Sequence, residues 1–195
     1  SYISNVENKG AYVNFFINQA KFNEILIKEI LKSKFNYGTS FIGKNKKSLI
    51  EHTSINPNAE PHVGRARNAL IGDSLVKLLK FQGYKVEVHY YVNDIGKQIA
   101  MLVLAANNKK VKFKELLKLY ININKELEKN PKLENKIFEI LNKLEHGNRK
   151  IRARFNDIVE ICVKGQADIL KDLGINYDYF DYESKYLFNK DCDKI

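Results

Sequence analysis

Apolar residues along this chain keep two different periods, and the switches between them divide it into elements. AYVNFFIN, residues 11–18, reads as a short apolar strand after a turn at Lys9-Gly10. KFNEILIKEILKS then places Phe22, Ile25, Leu26, Ile30 and Leu31 at helical spacing, ending before Gly38. FNYGTSFIGKNKKS follows as a loop with two glycines and a lysine cluster, the composition of a solvated linker. SLIEHTS, residues 48–54, reads as a buried strand, and NPNAEPH must be irregular because Pro57 and Pro61 break either ladder. From Gly64 the period becomes helical, through Ala66, Ala69, Leu70, Val76 and Leu79 to Gln82, with Gly83 as the cap. YKVEVHYYVND returns to strand, alternating at Val86, Val88 and Tyr90. Strand, loop, helix and strand in this order make a βαβ unit, for which a parallel pair with a right-handed crossover is the default.

Beyond NDIGKQIAMLVLAANN the pattern is helical from 109 to about 172. Breaks at Asn130-Pro131 and His146-Gly147 divide it into three helices. GINYDYFDYESKYLF is again strand-like and rich in tyrosine. The parse is an α/β class chain: half of a parallel-sheet domain with a helical insertion, without internal repeats.

Composition narrows the class more than the function. The 195 residues suffice for one domain with a real core, and 44% hydrophobic residues fit a globular protein. The two cysteines, Cys162 and Cys192, form no C-x-x-C, so neither a disulfide framework nor a zinc site is expected. No apolar run of about 18 residues occurs, and no signal peptide opens the chain, so a cytoplasmic protein without a membrane partner is expected. A net charge of +10, from 33 Lys+Arg and 23 Asp+Glu, suits a polyanionic partner. The same lysines also serve simply to solvate helices, and charge alone does not choose.

The stretch EHTSINPNAEPHVGRARNALIGDS, residues 51–74, concentrates the candidate chemistry. A parallel α/β unit places its ligand outside the carboxyl ends of the strands, where Thr53 to Gly64 would lie. Gly64 lets a phosphate or nucleotide approach the backbone, and the helix start supplies free N–H groups and partial positive charge. His62 and Arg65 could both face an anion there. Ser54 and Asn56 offer donors, and Glu51 offers a carboxylate to a cation. Neither a G-x-x-x-x-G-K-[ST] nor a G-x-G-x-x-G motif is present. Taken alone, H-x-G at a helix start fits a nucleotide site or a turn whose histidine packs. Asn56 before Pro57 is a good turn-former, and Glu51 could pair with a lysine. His52 and His89 read as strand residues facing sheet neighbours, His146 as a surface cation near a helix end, and Tyr177, Tyr179, Tyr182 and Tyr186 as packing residues.

The same stretch, followed by GYKVEVHYYVNDIGKQ, resembles the signature region of arginyl-tRNA synthetases, class I enzymes with a Rossmann catalytic core. HVGR, His62 to Arg65, is similar to the class I HIGH motif. VNDIGKQ, Val92 to Gln98, is similar to the family's N/G-D-x-G-[KR]-Q segment, and LGINYDYFDYESKY to its stretch ending in E-S-x-Y. VENKGAYVNFFIN resembles the last strands of the family's additional N-terminal domain. The resemblance implies a Rossmann-like parallel sheet, the first half of a class I core, and an arginine–tRNA ligase activity toward L-arginine, ATP and tRNA(Arg). It assigns Glu51 to the cationic end of arginine, and Ser54 and Asn56 to its amino-acid end. His62 and Arg65 become the catalytic pair and, with Gly64, the ATP contacts; Asp94 and Gln98 lie beside the site. Mg²⁺ would travel with ATP, so no protein metal site and no tightly bound cofactor is implied.

The resemblance also divides the chain: 1–20 as the tail of the additional N-terminal domain, 21–45 as connecting helix and loop, and 46–107 as the first half of the catalytic domain. Residues 108–172 become the helical insertion and 173–195 the return to the core. Three departures stand out. Arg65 replaces the second HIGH histidine and cannot exchange a proton. Ala59-Glu60 stands where many relatives carry lysine. No K-M-S-K-S-like motif follows, and the rest of the Rossmann fold and a helical anticodon-binding domain are missing. A partial catalytic domain, lacking its C-terminal half and inactive alone, is therefore expected. The alternatives are an HxGH nucleotidyltransferase and a non-catalytic, synthetase-derived RNA-binding module.

Overall fold

A computed structural model of the chain describes residues 1–107 and 109–189, with every side chain except that of Phe188. Cys192 and the end of the 173–195 segment lie outside the described residues. Two compact units result, Ser1–Ile42 and Gly43–Ile195.

The first unit is an antiparallel hairpin and a helix. Strands β1 (Ile3–Lys9) and β2 (Tyr12–Ile17) pair Lys9 with Tyr12 across a two-residue loop. Gly10 takes φ +65° in that loop, which a residue with a Cβ adopts only at a cost. Helix α1 (Gln19–Ser33) starts at Asn18, whose side chain accepts a hydrogen bond from the Lys21 N–H at 3.1 Å.

The second unit carries a parallel sheet in the order β3 (Lys47–Glu51), β4 (Lys85–Val92), β5 (Tyr179–Tyr182). Helix α2 (Val63–Phe81) makes the first crossover. It ends as the sequence requires: with Gly83 at φ +85°, the Tyr84 and Gly83 N–H groups bond the Leu79 and Lys80 carbonyls at 3.1 and 3.0 Å. Helices α3 (Lys97–Ala106), α4 (Phe113–Lys129), α5 (Lys132–Glu145) and α6 (Arg149–Asp172) intervene before β5, and α7 (Glu183–Phe188) follows it.

The sheet packs on its helices through more than one apolar cluster, with Val86 and Val88 against Val76 of α2. Val86, Val88, Tyr90 and Val92 all point to the buried face of β4, following the period of two read from the sequence. Tyr90 and Val92 pack into a cluster with Ile99 and Leu102 of α3 and Phe155, Val159 and Cys162 of α6. Helices α4 and α5 are amphipathic and bury single residues two turns apart: Leu116 and Ile123, then Ile137 and Leu144.

Two segments differ from their sequence reading, and a third had none. SLIEHTS is not a buried strand throughout: β3 is an edge strand that ends at Glu51, with Leu49 60% exposed. It ends there because Thr53 and Ser54 take φ +88° and +46°, incompatible with an extended ladder. The apolar run from Ile99, whose unbroken character favours no period, forms the buried helix α3. The tyrosine-rich segment is strand for only four residues and becomes helix at Glu183.

Candidate active site

Parallel pairing brings the carboxyl ends of β3, β4 and β5 to one edge of the sheet, with the starts of α2, α3 and α7 beside them. The loop from His52 to His62 leaves β3 through a strained turn. Thr53 is β-branched and lies in the left-handed region, where such a residue is an outlier. Its fully buried hydroxyl lies 2.8 Å from His52 Nδ1 and also hydrogen-bonds the Tyr177 hydroxyl. His52 is wedged between the Tyr177 ring, 5.2 Å between centroids, and Gly72 of α2. A Cβ on Gly72 would sit 2.4 Å from the His52 Cβ, so glycine permits this approach. His52 is therefore a core residue. Burial holds its imidazole below the usual pKa, against the raising influence of Asp73 and Glu51. Burial likewise pushes the Tyr177 phenol up to about 12 and the Cys162 thiol up to about 12.

The sequence-selected residues gather around this turn. The Ser54 hydroxyl donates to Glu51 Oε1 at 3.2 Å, and the same carboxylate oxygen accepts the Tyr91 N–H at 3.4 Å. Arg65 does not stand apart as a free cation; its Nη1 donates to the Ser54 carbonyl at 3.1 Å. Asn56 Nδ2 and Asn58 Nδ2 both donate to Gln98 Oε1, each at 2.9 Å. Asn56, Asn93, Gly96, Lys97, Gln98 and Ile99 line a cavity of about 110 Å³ at the start of α3. A larger cavity, about 510 Å³, opens beside Val103 and Arg154 and contains none of the motif residues.

His62 is the residue before α2, exposed, with extended φ and ψ of −82° and 163°. Its side chain makes no capping bond, and its Cε1 lies 3.3 Å from where a Gly64 Cβ would be. The ring thus lies along the helix start, whose first N–H groups face outward without intrahelical partners. Asp94 has a different place from the others: it is buried, and its Oδ1 accepts the Ser184 N–H at 2.8 Å, anchoring the first turn of α7. Burial, and then the Asp94 charge, raise the neighbouring Glu183 carboxyl above its ordinary range, opposed by a hydrogen bond with Tyr91.

His89 faces its sheet neighbours, 2.6 Å from Asp181 Oδ2 and stacked on Tyr179. His146 is exposed at the end of α5, with Nδ1 2.8 Å from the Asn142 carbonyl. No cluster of potential metal ligands occurs among the described residues, nor any helix long and apolar enough to cross a membrane. Thr53, Asn58 and the hydroxyl role of Tyr177 escaped the sequence reading. Asn58 had a usable signal, since it repeats the Asn56 side chain two residues on; Tyr177 had none, because its partner lies on a distant segment.

A doubly bonded loop at a parallel sheet's carboxyl edge, an H-x-G helix start and a helical segment before the third strand are the arrangement that the resemblance to class I synthetases implied. Over residues 26–190 the chain matches the family described as tRNA synthetases class I (R), catalytic domain, and it belongs to that family. It is 40% identical over 202 residues to the arginine–tRNA ligase of Methanosphaera stadtmanae, covering 100% of this chain and 35% of that protein. To the arginine–tRNA ligase of Methanocaldococcus jannaschii it is 38% identical, covering 99% of this chain and 36% of the relative. Among solved structures, Thermus thermophilus arginyl-tRNA synthetase matches with a TM-score of 0.71 and 28% identity, over 94% of this chain and 30% of that one. The chain thus spans about a third of the length of these relatives.

Proposed function

We propose that this chain is part of an arginine–tRNA ligase that activates L-arginine with ATP and transfers it to tRNA(Arg). The observation that carries this reading is the bonding of Ser54 to Glu51 and of Asn56 to Gln98 on the loop that leads to His62 at the start of α2, within a chain of the arginyl synthetase family.

Glu51 receives the guanidinium of arginine, a planar donor fork that a carboxylate matches in two hydrogen bonds. Ser54 and Asn56 hold the amino-acid end. The adenosine and phosphates of ATP lie along the α2 start, where Gly64 leaves room and the helix N-terminus favours negative charge. His62 stabilises charge that builds as the arginine carboxylate attacks the α-phosphorus in line. Such a displacement is catalysed chiefly by positioning and charge stabilisation rather than by a protein base. Arg65 fixes the Ser54 carbonyl with one of its donors and turns the rest of its permanent charge toward phosphate. Mg²⁺ would arrive with ATP as part of the substrate and would supply charge neutralisation there.

The division follows the same reading: 1–20 as the tail of an additional N-terminal domain, 21–45 connecting it, 46–107 and 173–195 contributing to the catalytic core, and 108–172 inserted between them. The remainder of the parent protein completes the nucleotide site, and the cytoplasm is where such an enzyme acts. The test is arginine-dependent exchange of pyrophosphate into ATP, with tRNA(Arg) present, in the full-length protein and its His62→Ala variant. Exchange that requires arginine and drops at least about a hundredfold in the variant is expected, the scale for losing one transition-state donor. Nucleotide turnover indifferent to arginine would replace this reading with that of an HxGH nucleotidyltransferase.

A further inference from the structure

We infer that Gln166, on α6, is a positioning residue for the loop that the proposed function assigns to arginine binding. The inference rests on that reading for its catalytic consequence, but the geometry stands apart from it.

The loop between β3 and α2 has neither helix nor ladder, so its inward-facing carbonyls need partners from elsewhere. Gln166 supplies them from 110 residues further along the chain. Its side chain is fully buried. Its Nε2 donates to the Asn56 carbonyl at 3.0 Å and to the Ala59 carbonyl at 2.8 Å. Its Oε1 accepts from the Tyr90 hydroxyl at 2.7 Å, and that hydroxyl also lies 3.1 Å from the Ile55 carbonyl. Both amide protons and the amide oxygen are therefore used, and the partners fix which way the group points: two carbonyls must meet the NH₂, and a hydroxyl must meet the oxygen.

No other common side chain meets these demands. Glutamate has the oxygen for Tyr90 but would face two carbonyls with another acceptor, asparagine is one carbon short, and an apolar residue would leave the Asn56 carbonyl only the Asn58 N–H and the Ala59 carbonyl only the weak Cys162 thiol donor. The bonds from Gln166 fall on the backbone at residues 56 and 59, beside the side chains of Asn56 and Asn58. From the opposite side Gln98 gathers the Asn56 and Asn58 amides. Two glutamines from two helices thus clasp one loop, Gln98 by its side chains and Gln166 by its main chain. The helical segment before β5 thereby sets the geometry of the loop that opens the sheet's first crossover. A polar network of this kind is costly when half-made, so its parts hold or fail together.

The test uses the full-length protein with Gln166→Met, similar in length and without polar atoms, and Gln166→Glu. Two measurements are made: arginine-dependent pyrophosphate exchange, and hydrogen exchange of the loop amides. We expect KM for arginine to rise about tenfold in Gln166→Met, the scale of losing the two neutral hydrogen bonds to the loop out of the three Gln166 makes, with KM for ATP within about twofold. Amides of residues 54–60 should exchange at least about tenfold faster while those of α4 and α5 keep their protection. Gln166→Glu should match or exceed both effects. Unchanged loop exchange would overturn the inference, as would a rise in both KM values that merely follows a global loss of stability. If the parent protein shows no arginine dependence, the proposed function fails, and loop exchange alone decides whether the clasp exists.

Discussion

The hydroxyls of Thr53 and Tyr177 hydrogen-bond across the end of the parallel sheet, although 124 residues separate them. The bond fastens the residue with the least favourable backbone in the loop, since Thr53 sits at φ +88°. A β-branched residue held there stores strain of about 1–3 kcal/mol. Tyr177→Phe should lower the unfolding free energy by about 1–2 kcal/mol, because Thr53 then keeps only His52 as partner. In a Thr53→Gly background the same change should be neutral or stabilising, since the half-buried phenol has already lost its partner. Urea unfolding of the four proteins checks this; an equal cost in both backgrounds would mean the hydroxyls act independently.

Gly72→Ala should destabilise the protein even though alanine is the better helix former by about 1 kcal/mol. The added Cβ would meet the His52 Cβ and Cγ at 2.4 Å, neither of which is the far end of a flexible chain. Overpacking of this sort costs about 1–3 kcal/mol. Combined with His52→Gly, the loss should be less than additive, because the clashing atoms are gone. Thermal unfolding of the single and double variants is the measurement.

His52 gives the stability a pH dependence of definite sign. Burial, the larger cause, lowers its folded pKa below the ordinary 6.5, while Asp73 and Glu51 oppose that shift. The unfolded chain therefore binds the proton more readily, and the contribution of His52 is complete above about pH 6.5 and lost as pH falls toward its folded pKa. Glu183 runs the other way in the more acidic range, because its carboxyl is raised and the folded chain protonates first. Subtracting the unfolding free energies of His52→Gln from those of the unaltered protein between pH 7.5 and 5 should leave a positive slope with pH. A flat difference would contradict a neutral, buried imidazole.

Arg65 should tolerate lysine poorly in activity and well in stability. Its bond to the Ser54 carbonyl is exposed, and exposed polar contacts contribute little to folding. Yet the bond fixes the residue proposed to hold the amino-acid end of arginine. Arg65→Ala should reduce arginine-dependent pyrophosphate exchange in the full-length protein on the order of tenfold or more, the scale of one hydrogen bond to a charged group. Arg65→Lys should recover only part, since an ammonium keeps the charge without the fork. Full recovery by lysine would reduce the role of Arg65 to charge alone.

Much of this architecture is written in local pattern. The alternation of Val86, Val88 and Tyr90 marks the buried face of β4, Gly83 stops α2, and Pro131 and Gly147 divide the helices, because each is decided by a few neighbouring residues. That Ser54, Asn56 and His62 lie on an irregular loop before a helix was legible for the same reason, from two prolines and a glycine, whereas their proposed roles come from the family resemblance. Local pattern failed where the backbone departs from its preferences. Nothing in SLIEHTS announces that the strand stops at Glu51, since threonine and serine ordinarily extend a strand.

By itself, then, the sequence determined the βαβ unit with its parallel crossover and the three helices between residues 109 and 172, and it singled out the loop that carries the candidate chemistry. Only the tertiary structure decided how that chemistry is held: Thr53 by Tyr177, the Ser54 carbonyl by Arg65, and the carbonyls of Asn56 and Ala59 by Gln166. The reason is range. Hydrophobic period and turn residues act over a few positions, whereas a strained loop without secondary structure of its own borrows its hydrogen bonds from segments that become neighbours only once the core has formed.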